Sequence, residues 1–312
     1  MTIDPGAVAR PTGRSYLARR RRTGTLLVLP ALAVLALILA LPIAASLALS
    51  LMDADTADFR FGVFVGLDNY RTLFADPVFA LALRNSIYWM VVEVAVVVVV
   101  ALWFALLLNH PMGRWSVFRI ILLVPWALAP VANAVLWKWI YNSSYGILNF
   151  LGTATGVLPD PVVWLGDPGL ALNALLVAEI WKEIPFITLL LLAGLQNVPR
   201  ILYRASRLDG AGPWQTFRFV TLPQLRTTIL ICIVLQSIWA LKSFDLVYVL
   251  TRGGPANATT MLNFLAYRVS FQFGNLGLGA AVADILFFVM FLLALAYVRV
   301  FRPARAAERG VA

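Results

Sequence analysis

The 312-residue chain is 61% hydrophobic and only 13% charged, with a formal net charge of +10. A soluble domain is nearer half apolar and a quarter charged, so the composition is that of a membrane protein. The single cysteine, Cys232, excludes an internal disulfide and a cysteine-based metal site; it falls in a greasy run, where a thiol packs as a small apolar group.

A basic tail, residues 1–23, opens the chain with Arg10, Arg14 and arginines at 19–22. Six long apolar runs follow, at roughly 24–52, 81–108, 117–141, 171–195, 227–250 and 278–300. A hydrocarbon core about 30 Å thick takes about 20 helical residues to cross. Lipid offers the backbone no hydrogen bonds, so each run is predicted as a transmembrane helix. The alternation of a barrel strand is absent. The first run is too long for the apolar part of a signal peptide and is read as a retained span, although Ala44-Ala45-Ser46 mimics a cleavage site.

The arginines are sorted by loop. The N-terminal tail, Arg114, the loop with Arg200, Arg204, Arg207, Arg218 and Arg226, and the C-terminal tail at 301–312 are all basic. The alternate loops, roughly 53–80, 142–170 and 251–277, hold the acids Asp53, Asp55, Asp58, Asp68, Asp76, Asp160 and Asp167, few cations and much turn chemistry. The positive-inside rule therefore puts both termini in the cytoplasm. This also explains the +10 charge through topology and anionic lipid, without nucleic acid. Residues 24–300 are expected to form one all-α membrane domain, its longest cytoplasmic loop at 196–226. His110, the one histidine, is read as an interfacial residue at a span end.

Prolines at 30, 42, 125, 130 and 185 interrupt the spans. The pair Pro125 and Pro130 predicts a distorted third span. Ionisable groups at Glu93, Lys138, Glu179, Lys182, Glu183, Lys242, Asp245 and Asp284 are costly in lipid and are functional candidates. Glu179, Lys182, Glu183 and Phe186 stand at i, i+3, i+4 and i+7, on one helix face. Carboxylates, an amine and an aromatic ring in one stripe suit a sugar; a self-compensating Glu–Lys pair is the structural alternative. Gln236, Trp239, Ala240 and Ser243 form a second stripe. Lys242 and Asp245, at i and i+3, are placed either to pair or to line a pathway. No partner for Glu93 or Asp284 is readable, and pairing between subunits is one option for both.

The loop at 196–226 has its own grammar. Asn197 is placed to cap a helix whose first turn holds Pro199. Ile201, Leu202, Ala205 and Leu208 share one face and Arg200, Arg204 and Arg207 another. Gly210 is placed to end that helix in the left-handed conformation. Pro213 starts a second short helix bearing Trp214, Phe217 and Val220, and Pro223 marks the beginning of the fifth span.

These residues resemble the cytoplasmic coupling loop of membrane subunits of binding-protein-dependent ABC importers. The matching positions are Tyr203, Ala205, Ser206, Asp209, Gly210, Ala211, Trp214, Phe217, Thr221, Leu222 and Pro223. Gly66-Leu67-Asp68-Asn69-Tyr70, Trp181 with Pro185-Phe186, and Phe244-Asp245 with Thr251-Arg252-Gly253-Gly254-Pro255 are similar to the carbohydrate branch, the maltose-permease type above all. The resemblance implies a type I importer permease of the cytoplasmic (inner) membrane that is not itself an enzyme. Its partners would be a second homologous permease, an ATPase dimer docking on the loop and an extracytoplasmic solute-binding protein, with a sugar as cargo. ATP and Mg would be bound by the ATPase, leaving no cofactor in this chain. That agrees with its three lysines, Lys138, Lys182 and Lys242, none of which follows a glycine as a P-loop requires. The resemblance also places Glu179, Lys182, Glu183, Phe186, Gln236, Ala240 and Pro130 at sugar-contacting positions, with Asn133 one turn beyond Pro130. Arg204 departs from the pattern, which has an acid there. A glycerol-phosphate-type importer, and an ion-coupled transporter acting alone, are the alternatives.

Overall fold

The computed structural model describes residues 24–25, 27–55, 62–109 and 115–308. The tail at 1–23, Asp58, Arg60, His110 and Arg114 lie outside the described residues, and so do the topological expectations resting on them. The described chain is mostly helical, with a two-residue β-pair, β1 (Met52–Asp53) with β2 (Val63–Phe64).

Helix α1 covers Leu27–Ser50 and α2 covers Asp68–Ala75. Helix α3, Pro77–Leu108, starts where the Asp76 carboxylate accepts from the Val78 N–H at 2.8 Å and Pro77 fills the first turn. The third apolar run is two helices, α4 (Trp115–Ala127) and α5 (Pro130–Ile140), bent by 105° at the break. The break follows from Pro130, which drives Ala129 into an extended conformation (φ −59°, ψ 143°). Then come α6 (Ile147–Ala154), α7 (Ala171–Gln196) and α8 (Arg200–Leu208). Helix α9 runs through 213–242, α10 covers Asp245–Leu250, α11 covers 262–272 and α12 covers Leu276–Glu308. The expected tail at 301–312 is thus helical as far as residue 308.

Among the described residues four stretches are both long and apolar enough to cross a membrane, and α4 with α5 make a fifth if taken together. Helix α7 is long enough but carries Glu179, Lys182 and Glu183. Any 18 consecutive residues within it include all three.

Two interior prolines, Pro42 in α1 and Pro223 in α9, each follow a π-helical turn, Ala36–Ala40 and Phe217–Thr221. A proline ring collides with the carbonyl four residues back, and a wider turn makes room for it. Helix α9 therefore continues through Pro223. The separate short helix expected from Pro213 is instead the first turn of the fifth span. Asn197 likewise closes α7, donating its N–H to the Gly194 carbonyl, while Pro199 stands just before α8.

Helices α3, α7 and α9 form the centre. One apolar cluster around Trp89, Leu175, Ala240, Leu246 and Phe264 fills the end of the bundle that carries α6, α10 and α11. A second, around Val97, Leu191, Leu225 and Cys232, fills the opposite half. Gly194 lets α7 and α9 approach closely: a Cβ there would stand 2.7 Å from Thr228 Oγ1 and 3.0 Å from Leu225 Cδ2. A third cluster, with Leu73, Phe79, Leu262 and Val282, binds α2, α3, α11 and α12.

The loops expected to be irregular carry structure. Asn69 of α2 donates to the carbonyls of Ser50 and Met52, both at 2.9 Å, and holds the end of α1. Around the turn at 251–260, Thr251 and Thr259 hydroxyls meet at 2.7 Å, and Asn85 of α3 donates to the carbonyls of Ala258 and Thr260.

Candidate functional site

The polar residues of the central helices gather at one level. Lys182 Nζ lies 2.6 Å from Glu183 Oε1, both side chains about one-tenth exposed. The lysine therefore pairs with its neighbour in sequence. Glu179, half-buried one turn earlier, has Lys182, Glu183, Ser243 and Asp245 as its electrostatic neighbours.

Across the bundle, Gln236 Nε2 donates to Glu93 Oε1 at 2.6 Å, with both residues wholly buried. Glu93 thus gains a partner within the chain, one the sequence hides because the two stand 143 positions apart. Its charge neighbours include Glu179 and Glu183. Asn133 of α5 donates to the Ala178 carbonyl at 3.5 Å. Glu93 Oε2, Glu183 Oε2, Asn133 Oδ1 and Gln236 Oε1 are buried acceptors, and Trp89 Nε1, beside Glu93, is a buried donor, none with a hydrogen-bond partner. The cluster is therefore rich in acceptors, three carboxylates to one amine, and suits a ligand that donates hydrogen bonds.

Phe186 is the centre of an aromatic trio. Its ring stacks on Trp126 of α4 at 5.0 Å and meets Trp239 of α9 at 5.2 Å. The stripes predicted on α7 and α9 are thus brought together here, with Ala240 buried beside them. Trp126 carries no signal of its own in the sequence beyond the proline pair that flanks it. Pro130 stands exposed at the start of α5.

Lys242 and Asp245 do not pair. The helix breaks at Ser243 (φ −63°, ψ 98°), which removes the i, i+3 geometry, and Lys242 is exposed. Asp284 of α12 accepts from Ser46 Oγ at 2.8 Å and from Tyr70 OH at 3.4 Å, so it ties α1, α2 and α12 together. Lys138 is exposed on α5.

At the opposite end, α8 closes as expected. Gly210 has φ +75°. The Ala211 N–H reaches the Ser206 carbonyl at 2.9 Å and the Gly210 N–H reaches that of Arg207 at 3.2 Å, the two bonds of a Schellman motif. Tyr203 OH meets Thr221 Oγ1, and Ser206 Oγ meets Thr216 Oγ1, each at 3.3 Å, binding α8 to the start of α9. Ile201, Ala205 and Leu208 form an uncovered face, Leu208 being 88% exposed. Arg200, Tyr203, Arg204 and Arg207 turn to a neighbouring face and line a cleft of about 1610 Å³ between α8 and the end of α3. Asp209 and Gly210 are exposed at the corner, and Pro223 is exposed further along α9.

Residues 21–306 match the family described as binding-protein-dependent transport system inner membrane component. The trehalose/maltose transport system permease protein MalF of Thermococcus litoralis is 37% identical over 287 residues, 92% of this chain and 96% of that protein. The lactose transport system permease protein LacF of Rhizobium radiobacter is 35% identical over 84% of this chain and 88% of its own. Among solved structures, a bacterial alginate ABC transporter in complex with an alginate pentasaccharide-bound periplasmic protein contains a chain of similar fold. Its TM-score is 0.76 at 21% identity, covering 89% of this chain and 93% of that one.

Proposed function

The chain belongs to the binding-protein-dependent transport system inner membrane components, multi-pass permeases of ABC importers whose ATPase is a separate subunit, and on that premise we propose that it carries a sugar of the oligo- or disaccharide class across the cytoplasmic membrane by ATP-driven alternating access. Counting α4 with α5 as one broken span and α7 as another gives six spans, with both termini cytoplasmic by the placement of arginine. A second permease, an ATPase dimer holding ATP and Mg, and an extracytoplasmic solute-binding protein complete the transporter.

The observation that carries this reading is the continuity of α9. One helix begins at the Gly210–Pro213 corner and carries Gln236, Trp239 and Ala240 in the polar and aromatic cluster. The 23 helical steps from Pro213 to Gln236 span about 35 Å. A displacement of α8 by the ATPase therefore reaches the pathway through a single rod. Docking rests on the open Ile201, Ala205 and Leu208 face and on the corner, and needs no acid at position 204. The relatives named for trehalose/maltose and lactose favour a sugar. The excess of carboxylates around Lys182 disfavours a phosphorylated cargo.

The test is uptake into proteoliposomes holding the chain with its partner subunits. Sugar uptake that requires ATP and the binding protein supports the proposal. Uptake by the chain alone on an ion gradient, indifferent to ATP, contradicts it.

A further inference from the structure

We propose that the cleft beside α8 binds an anionic phospholipid, with its phosphate among Arg200, Arg204 and Arg207 and its acyl chains along α3. The three guanidiniums stand on one face of α8, at i, i+4 and i+7, and line the cleft together. No acidic residue lines it. Among the described residues the ion pairs are Arg71–Asp68 and Lys182–Glu183, so this positive charge is not balanced by a carboxylate there.

The shape of the polarity selects the occupant. From the arginines the cleft continues along α3 over Leu106, Trp103 and Val99, which are 36%, 57% and 67% exposed. From Asn109 to Val99 is about 15 Å of helix, running into an apolar span. A soluble anion or an acidic peptide matches the basic end and leaves the apolar end uncovered; a phospholipid matches both. Trp103 and the 71% exposed Trp214 supply the aromatic rings favoured at headgroup level. Arginine's planar fork suits phosphate oxygens. The proposal rests on the chain being a membrane protein and is independent of the cargo. It gives Arg204 a partner in the bilayer, with the apolar face of α8 left free.

The test is native mass spectrometry of the purified full-length protein in mild detergent, titrated with phosphatidylglycerol or with phosphatidylcholine of the same chains. Phosphatidylglycerol is expected to bind about 10-fold more tightly or better. Arg204→Gln should weaken it about 5-fold, and the triple change R200Q/R204Q/R207Q should abolish the preference. Arg218→Gln, at an exposed residue that does not line the cleft, should leave binding unchanged. Equal binding of the two lipids, or equal loss in Arg218→Gln, overturns the proposal. So does competition by deacylated glycerophosphoglycerol at the lipid's own concentration, which marks a site for soluble anions. Tight binding of a polyglutamate peptide in place of lipid overturns it as well.

Discussion

Gln236 of α9 donates a 2.6 Å hydrogen bond to Glu93 of α3, and neither residue touches solvent. Removing one partner leaves the other buried and unsatisfied, at a cost of about 1–3 kcal/mol and more for a charged group. Gln236→Leu should therefore lower the thermal midpoint of the detergent-solubilised protein well beyond Glu93→Gln, which keeps the shape and a hydrogen bond. Equal shifts in the two variants mean that the bond does not hold α3 to α9.

The Ser46–Asp284 bond is the corresponding link between α1 and α12. A double-mutant cycle with Ser46→Ala and Asp284→Asn should give a coupling of about 0.5–1.5 kcal/mol in thermal unfolding. Additive losses show that the two side chains act separately.

A Cβ at Gly194 of α7 would press on Thr228 of α9. Gly194→Ala should cost about 1–3 kcal/mol by overpacking. Adding Thr228→Ala removes the two nearest atoms, leaving Leu225 Cδ2 at 3.0 Å, and should recover much of that stability. Lack of recovery places the strain elsewhere.

Phe186 stands between Trp126 and Trp239. If this trio receives the apolar face of a sugar, Phe186→Ala in the assembled transporter should raise the half-saturating sugar concentration about 3–10-fold. An unchanged value, with the complex still assembled, makes the trio a packing element only.

Much of the fold was legible because lipid imposes a strong rule. All six apolar runs became helices, the third as a broken pair, and in α7 the same charges that marked the site also interrupt its hydropathy. The Gly210 corner was legible because a left-handed helix end narrows the choice of residue. Long-range partners were not: Glu93 with Gln236 and Asp284 with Ser46 depend on packing that leaves no local trace. At Lys242 and Asp245 spacing left pairing and pathway lining open; pairing assumes an unbroken helix, and Ser243 breaks it. Spacing misled at Pro223, where a π turn accommodates the proline and joins what looked like two helices.

The proposed transport mechanism turns on the corner at Gly210 transmitting motion into α9. Its most direct test is sugar-stimulated ATPase activity of the assembled complex in lipid, wild type against Gly210→Pro. Proline cannot adopt the φ of +75° that closes α8. The account predicts that the variant complex assembles but loses stimulation by loaded binding protein, while basal hydrolysis remains. Full stimulation in an assembled Gly210→Pro complex would contradict it.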